Sequence, residues 1–90
     1  PPRILKPTYE LLGEVYLKAG KPIQAYEKFS ISLLRHPNRI RSLMGAARSA
    51  DAKGDRKTAM ENYQQVIRQF KNASSELPEL IEAKKFLSGK

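Results

Sequence analysis

From Thr8 to Ala19, the residues Tyr9, Leu12, Val15, Tyr16 and Ala19 recur at three- and four-residue steps, which lines up one apolar face of a helix. Pro7 and Thr8 suit its opening. Gly20-Lys21-Pro22 then interrupts the pattern, since glycine accepts a left-handed helix end and proline fits the first turn of the next helix. Ile23, Ala25, Tyr26, Phe29, Leu33 and Leu34 restart the helical period until His36-Pro37-Asn38 stops it. A third helix is predicted from Ile40, Leu43, Met44, Ala46, Ala47 and Ala50, a turn at Lys53-Gly54-Asp55 with Asp55 as N-cap, and a fourth helix from Ala59, Met60, Tyr63, Val66, Ile67 and Phe70. Ser74-Ser75, followed by Glu76 and Glu79, opens a fifth helix with carboxylates near the positive end of its dipole. Leu77, Leu80, Ile81, Phe86 and Leu87 give it an apolar side, Pro78 fits only its first turn, and Gly89 suits its end.

The pattern is an internal repeat. Gly20 and Gly54 lie 34 residues apart, and the same offset pairs Tyr9 with Leu43, Gly13 with Ala47, Ala25 with Ala59 and Phe29 with Tyr63. The chain therefore divides into residues 1–6 as a linker remnant, 7–38 and 39–72 as two helix-turn-helix repeats, and 73–90 as a capping helix. A lone helix after stacked hairpins covers the last exposed apolar face.

Composition narrows this only modestly. The 90 residues fit one domain with one core, and 40% apolar with 29% charged residues is a globular balance. The absence of cysteine removes disulfide scaffolds and thiolate metal sites, and says nothing of compartment. No apolar run approaches the roughly 18 residues of a transmembrane helix. The N-terminus carries no signal-peptide core, and an opening Pro in place of Met predicts a C-terminal fragment of a longer protein, so localisation stays open.

Charge is uneven. Residues 1–34 hold five cations and three anions, residues 35–71 nine and three, and residues 72–90 three and three, so the second repeat carries +6 of the net +8. Such a field suits acidic proteins, nucleic acid or anionic membrane without choosing among them.

Tyr9, Leu12, Gly13, Tyr16, Ala25, Phe29 and Pro37 follow the order W-x2-L-G-x2-Y, A-x3-F, P, and the chain thereby resembles the tetratricopeptide repeat family, with Tyr in place of the opening Trp. The second copy, Leu43, Ala46, Ala47, Ala50, Ala59, Tyr63 and Lys71, keeps the register and loses the large Tyr and the closing Pro. In packing terms, small Gly13, Ala25, Ala47 and Ala59 let paired helices approach, whereas Tyr9, Tyr16, Phe29 and Tyr63 fill the gaps between hairpins.

The resemblance implies an all-α right-handed superhelix of five helices, with a concave wall built from the first helix of each repeat that binds a peptide or protein. That wall would present Pro7, Glu10, Glu14 and Leu17, then Arg41, Met44, Arg48 and Asp51. Glu14 and Arg48 are 34 apart and are expected to pair across neighbouring helices. Chaperone-binding members of the family grip a C-terminal carboxylate with Lys and Asn where this chain has Glu10, Glu14 and Gly45, so that specificity is not expected. Arg41 and Arg48 leave an acidic peptide open. With two repeats, the exposed face of the first hairpin should be apolar, giving self-association or weak stability.

A pentatricopeptide-like reading of Thr8 to Lys21, with single-stranded RNA as ligand, is the alternative; the 34-residue period and the small residues Ala47 and Ala59 argue against it. An enzyme is not expected. His36 sits before Pro37 in a turn, and Ser30, Ser32, Ser42 and Ser49 have no evident base beside them. No cofactor or metal site is expected.

Overall fold

The computed structural model describes residues 8–72 and 77–89. They form five α-helices and no strand: α1 (Tyr9–Lys18), α2 (Pro22–Arg35), α3 (Ile40–Ala52), α4 (Arg56–Gln69) and α5 (Pro78–Leu87). The expected start of the last helix at Ser74-Ser75 lies outside the described residues. Within them α5 begins at Pro78, with Leu77 as its N-cap residue.

Local chemistry explains the boundaries. Thr8 Oγ1 accepts the Leu11 amide at 3.0 Å and starts α1. Asp55 Oδ1 accepts the Thr58 amide at 3.1 Å, and Thr58 Oγ1 donates to Asp55 Oδ2 at 2.7 Å, which starts α4. Gly20 and Gly54 have φ of 78° and 88°, a region open to glycine and costly for other residues. After Gly20, the Lys21 amide donates to the Tyr16 carbonyl at 2.9 Å; after Gly54, the Asp55 amide donates to the Ala50 carbonyl at 2.8 Å. These are matching Schellman closures, each satisfying a helix-end carbonyl. From Pro22 to Arg56 and from Arg35 to Gln69 is 34 residues in both cases, so α2 and α4 begin and end in the repeat register.

Each helix packs on its neighbour in sequence, and α1 also lies against α3. Ala25, Phe29 and Ala46 form one buried cluster joining α2 to α3, with Tyr16, Leu17, Tyr26 and Leu33 packed against it. The second cluster is larger and joins α3, α4 and α5 through Leu43, Met44, Ala47, Ala50, Ala59, Tyr63, Val66, Leu80 and Ala83. Small residues do set the close approaches: Gly13, Ala25, Ala47 and Ala59 are all buried. Phe29 is fully buried between Gly13 of α1 and Gly45 of α3, and a Cβ built on either glycine would run into its ring. Tyr63 stacks on Phe86 with ring centroids 4.5 Å apart, so α5 closes over α4.

The two ends differ. Leu11, Val15, Ile23 and Leu34 of α1 and α2 are 49%, 55%, 69% and 82% exposed. At the repeat offset, Leu11 and Val15 correspond to Gly45 and Ser49 of α3, which are buried, Gly45 under Phe29 of α2. The apolar face expected on the first hairpin is present, and among the described residues no helix covers it as α2 covers α3.

Candidate functional site

The wall residues inferred from sequence do not share one environment. Glu10, Glu14 and Arg41 come together where α1 meets α3. Arg41 Nη2 donates to Glu14 Oε2 at 2.8 Å. Ser42 Oγ donates to Glu10 Oε2 at 2.8 Å, and Arg39 Nη1 lies 3.8 Å from Glu10 Oε1. Arg41 projects to solvent, whereas Glu10 is largely covered.

Arg48 does not pair with Glu14, contrary to the expectation from their spacing. Its Nε donates to Glu82 Oε2 at 2.8 Å and its Nη2 to Glu82 Oε1 at 2.5 Å, a two-pronged contact joining α3 to α5. The Tyr63 hydroxyl adds a third donor to Glu82 Oε2 at 3.1 Å. Glu82 lies 34 residues after Arg48, so the repeat offset does bring an arginine and a glutamate together, one repeat later than expected. Glu14 is instead held by Arg41, 27 residues away. Planar guanidinium and planar carboxylate match edge to edge, which favours Glu82 over a single-point contact.

Titration follows this geometry. The Arg48 guanidinium hydrogen-bonds to Glu82 and holds that carboxyl below its ordinary range, with partial burial opposing. The same hydrogen bond raises Arg48. Burial pushes the Tyr63 phenol well up, and the neighbouring Glu82 charge adds to it.

Met44 is a correction. It is 1% exposed and belongs to the core cluster of α3, α4 and α5, so it presents nothing to a partner. Leu17 is half-buried against the Phe29 cluster, and Asp51 is exposed near the end of α3. Of the expected wall residues, Arg41, Arg48 and Asp51 are exposed, Glu14 is half-buried and Glu10 is largely covered. Pro7 lies outside the described residues.

Two arrangements escaped sequence reasoning. Ser32 and Ser42 are buried with their hydroxyls 2.7 Å apart; because Ser42 donates to Glu10, Ser32 donates to Ser42, and a hydrogen-bonded chain crosses from α2 through α3 to α1. Ser42 therefore does have a carboxylate beside it; it is fully buried and ties α3 to α1 through Glu10. The second is a cleft of about 550 Å³ where the start of α1, the end of α2 and the residues before α3 meet. Tyr9 and Leu12 give it apolar wall, Thr8 and Ser32 hydroxyls, and Arg35, His36 and Arg39 basic groups. Tyr9 was expected to fill a gap between hairpins; it borders this cleft half-buried, with the Arg35 guanidinium 5.1 Å and the Lys28 ammonium 6.0 Å from its ring centroid. The sequence signal was the run of basic residues around His36, but only the fold shows that they meet Tyr9.

Among the described residues, no three His, Asp or Glu side chains converge on a metal position, and no helix is long and apolar enough to cross a membrane. The chain matches no protein-family model, no curated protein and no solved structure.

Proposed function

We propose that the chain is a non-catalytic protein-interaction module of tetratricopeptide type: two hairpin repeats and a capping helix, wound as a right-handed superhelix, that bind a peptide or protein segment along the wall of first helices. The observation that carries this reading is the tying of α1 to α3 by Glu14–Arg41 and of α3 to α5 by Arg48–Glu82. Those bridges fix a charged surface on successive helices at low entropic cost to a partner. The shared boundaries of α2 and α4 and the matching closures at Gly20 and Gly54 support the repeat architecture.

The bridges also revise the partner. Arg41 and Arg48 already hold carboxylates, so a wall ligand has to offer both signs of charge, or exchange with Glu14 and Glu82, rather than simply be acidic. The exposed Leu11, Val15, Ile23 and Leu34 make a second copy of the chain a further partner at the opposite end from α5.

Affinity capture from cell extract with wild type, Arg41→Glu and Asp51→Lys tests the wall, because both side chains are exposed and outside the core. The captured set should change in both variants, and hydrogen exchange with a captured partner added should slow in α1 and α3. An identical captured set and unaltered exchange would overturn the wall reading.

A further inference from the structure

Arg35 and Arg39 line the cleft and are less committed than the arginines of the wall. Arg41 and Arg48 sit within 2.8 Å of carboxylate oxygens. Among the described residues, Arg35 and Lys28 have no carboxylate partner, and Arg39 reaches only Glu10, at 3.8 Å. That carboxylate is already receiving Ser42.

Tyr9 positions Arg35 without neutralising it. A ring face attracts a guanidinium through its quadrupole and leaves the planar N–H edge with its full charge and donors. Thr8 Oγ1 spends a lone pair on the Leu11 amide, so its hydroxyl proton remains to be donated. Two guanidinium forks and a hydroxyl exceed what one carboxylate accepts, whereas a phosphoryl group offers three strong acceptor oxygens and close to two negative charges. The volume of about 550 Å³ suits one side chain with its neighbours.

We propose that this cleft binds a phosphoryl group carried on a peptide side chain, with Arg35 and Arg39 as the charge-bearing contacts and Thr8 as an added donor. The site adjoins the wall through the Arg39–Glu10 contact and does not depend on the wall binding anything. A peptide is favoured over single-stranded RNA on two grounds. Nonspecific RNA sites pair a groove that tracks several phosphates with open aromatic faces for stacking. Here there is one cleft, and its aromatic ring is attended by Arg35 and Lys28.

The test is amide-resolved NMR titration of the whole chain with inorganic phosphate, with a pool of short phosphoserine peptides, with the unphosphorylated pool, and with a single-stranded RNA oligomer. Phosphate and the phosphopeptides should shift the amides of Thr8–Leu11, Arg35 and Arg39, and phosphopeptide affinity should exceed that of the unphosphorylated pool at least tenfold. Arg35→Gln/Arg39→Gln should lower it at least tenfold with an unaltered thermal melt, since both side chains are exposed, whereas Arg41→Gln should leave it unchanged. Equal binding of the two pools, or no response to Arg35→Gln/Arg39→Gln, would overturn the proposal. RNA binding tighter than the phosphopeptides would replace it with a nucleic-acid site. Loss on Arg41→Gln instead would assign the binding to the wall.

Discussion

Replacing Gly45 by alanine sets two opposed effects against each other inside α3. Removing a mid-helix glycine favours the helix by about 1 kcal/mol. The new Cβ, however, would overlap the ring of Phe29, which is fully buried and has Gly13 on its other contact. Overpacking of a filled core costs about 1–3 kcal/mol, and the ring has no vacant side to move into. Because the Cβ would run into several atoms of a fully buried ring, the cost falls in the upper part of that range, and the net expectation is a loss of about 1–2 kcal/mol, which for a chain of 90 residues is a fall in Tm of about 5–15 °C. Gly13→Ala meets the same ring at 2.9 Å and should cost less. Urea denaturation followed by circular dichroism measures both. The mechanism also requires coupling: Phe29→Leu in the Gly45→Ala background should cost at least about 1 kcal/mol less than in wild type, because the shorter side chain vacates the contested space. A neutral or stabilising Gly45→Ala, or strict additivity with Phe29→Leu, would refute the wedge.

Glu82→Gln should weaken the attachment of α5. Glu82 titrates below its ordinary value in the fold, so its contribution is present above the unfolded carboxyl range and is lost as pH falls through the folded value. Stability measured from neutral to acidic pH should therefore drop less steeply in Glu82→Gln, and equally steep acid limbs would sink the assignment. Met44→Leu should cost under about 1.5 kcal/mol and Met44→Ala about 2–5 kcal/mol, because the side chain is buried in the α3, α4 and α5 core; an unaltered melt for Met44→Ala would return it to the surface wall. If the apolar end of the first hairpin drives self-association, sedimentation of wild type should show a concentration-dependent dimer that Leu11→Lys/Val15→Lys abolishes. A wild-type monomer at every concentration would rule that out.

Local signals made most of the fold legible. Gly20, Pro22, Gly54 and Asp55 act on bonds within a few residues of themselves, so the turns and two of the helix starts follow from the chain alone. Side-chain partners were less legible because spacing gives the face of a helix and not what stands opposite. At about 100° per residue, Met44 lies only about 60° around α3 from Arg41, a rotation that periodicity does not resolve and that carries it from solvent into the core. Arg48 was assigned to Glu14 because α5 was read as a cap and not as a source of ligands; its Glu82 completes a better-matched pair. The cleft was invisible for a related reason: Tyr9 and Arg35 are separated by the whole of the first hairpin, and nothing in their spacing announces the contact.

Phe29 also determines how the molecule comes apart. Its ring touches Gly13 within its own hairpin and Gly45 across the boundary to the next, so closing the first hairpin and docking it on the second are one event and not two. Opening either contact exposes the same ring, and α1, α2 and α3 should therefore exchange their amide hydrogens as a single cooperative unit. A repeat array is often described as a row of independent blocks joined by weaker neighbour terms. In this chain the two terms are hard to separate, since the largest buried side chain of the first block is shared with the second.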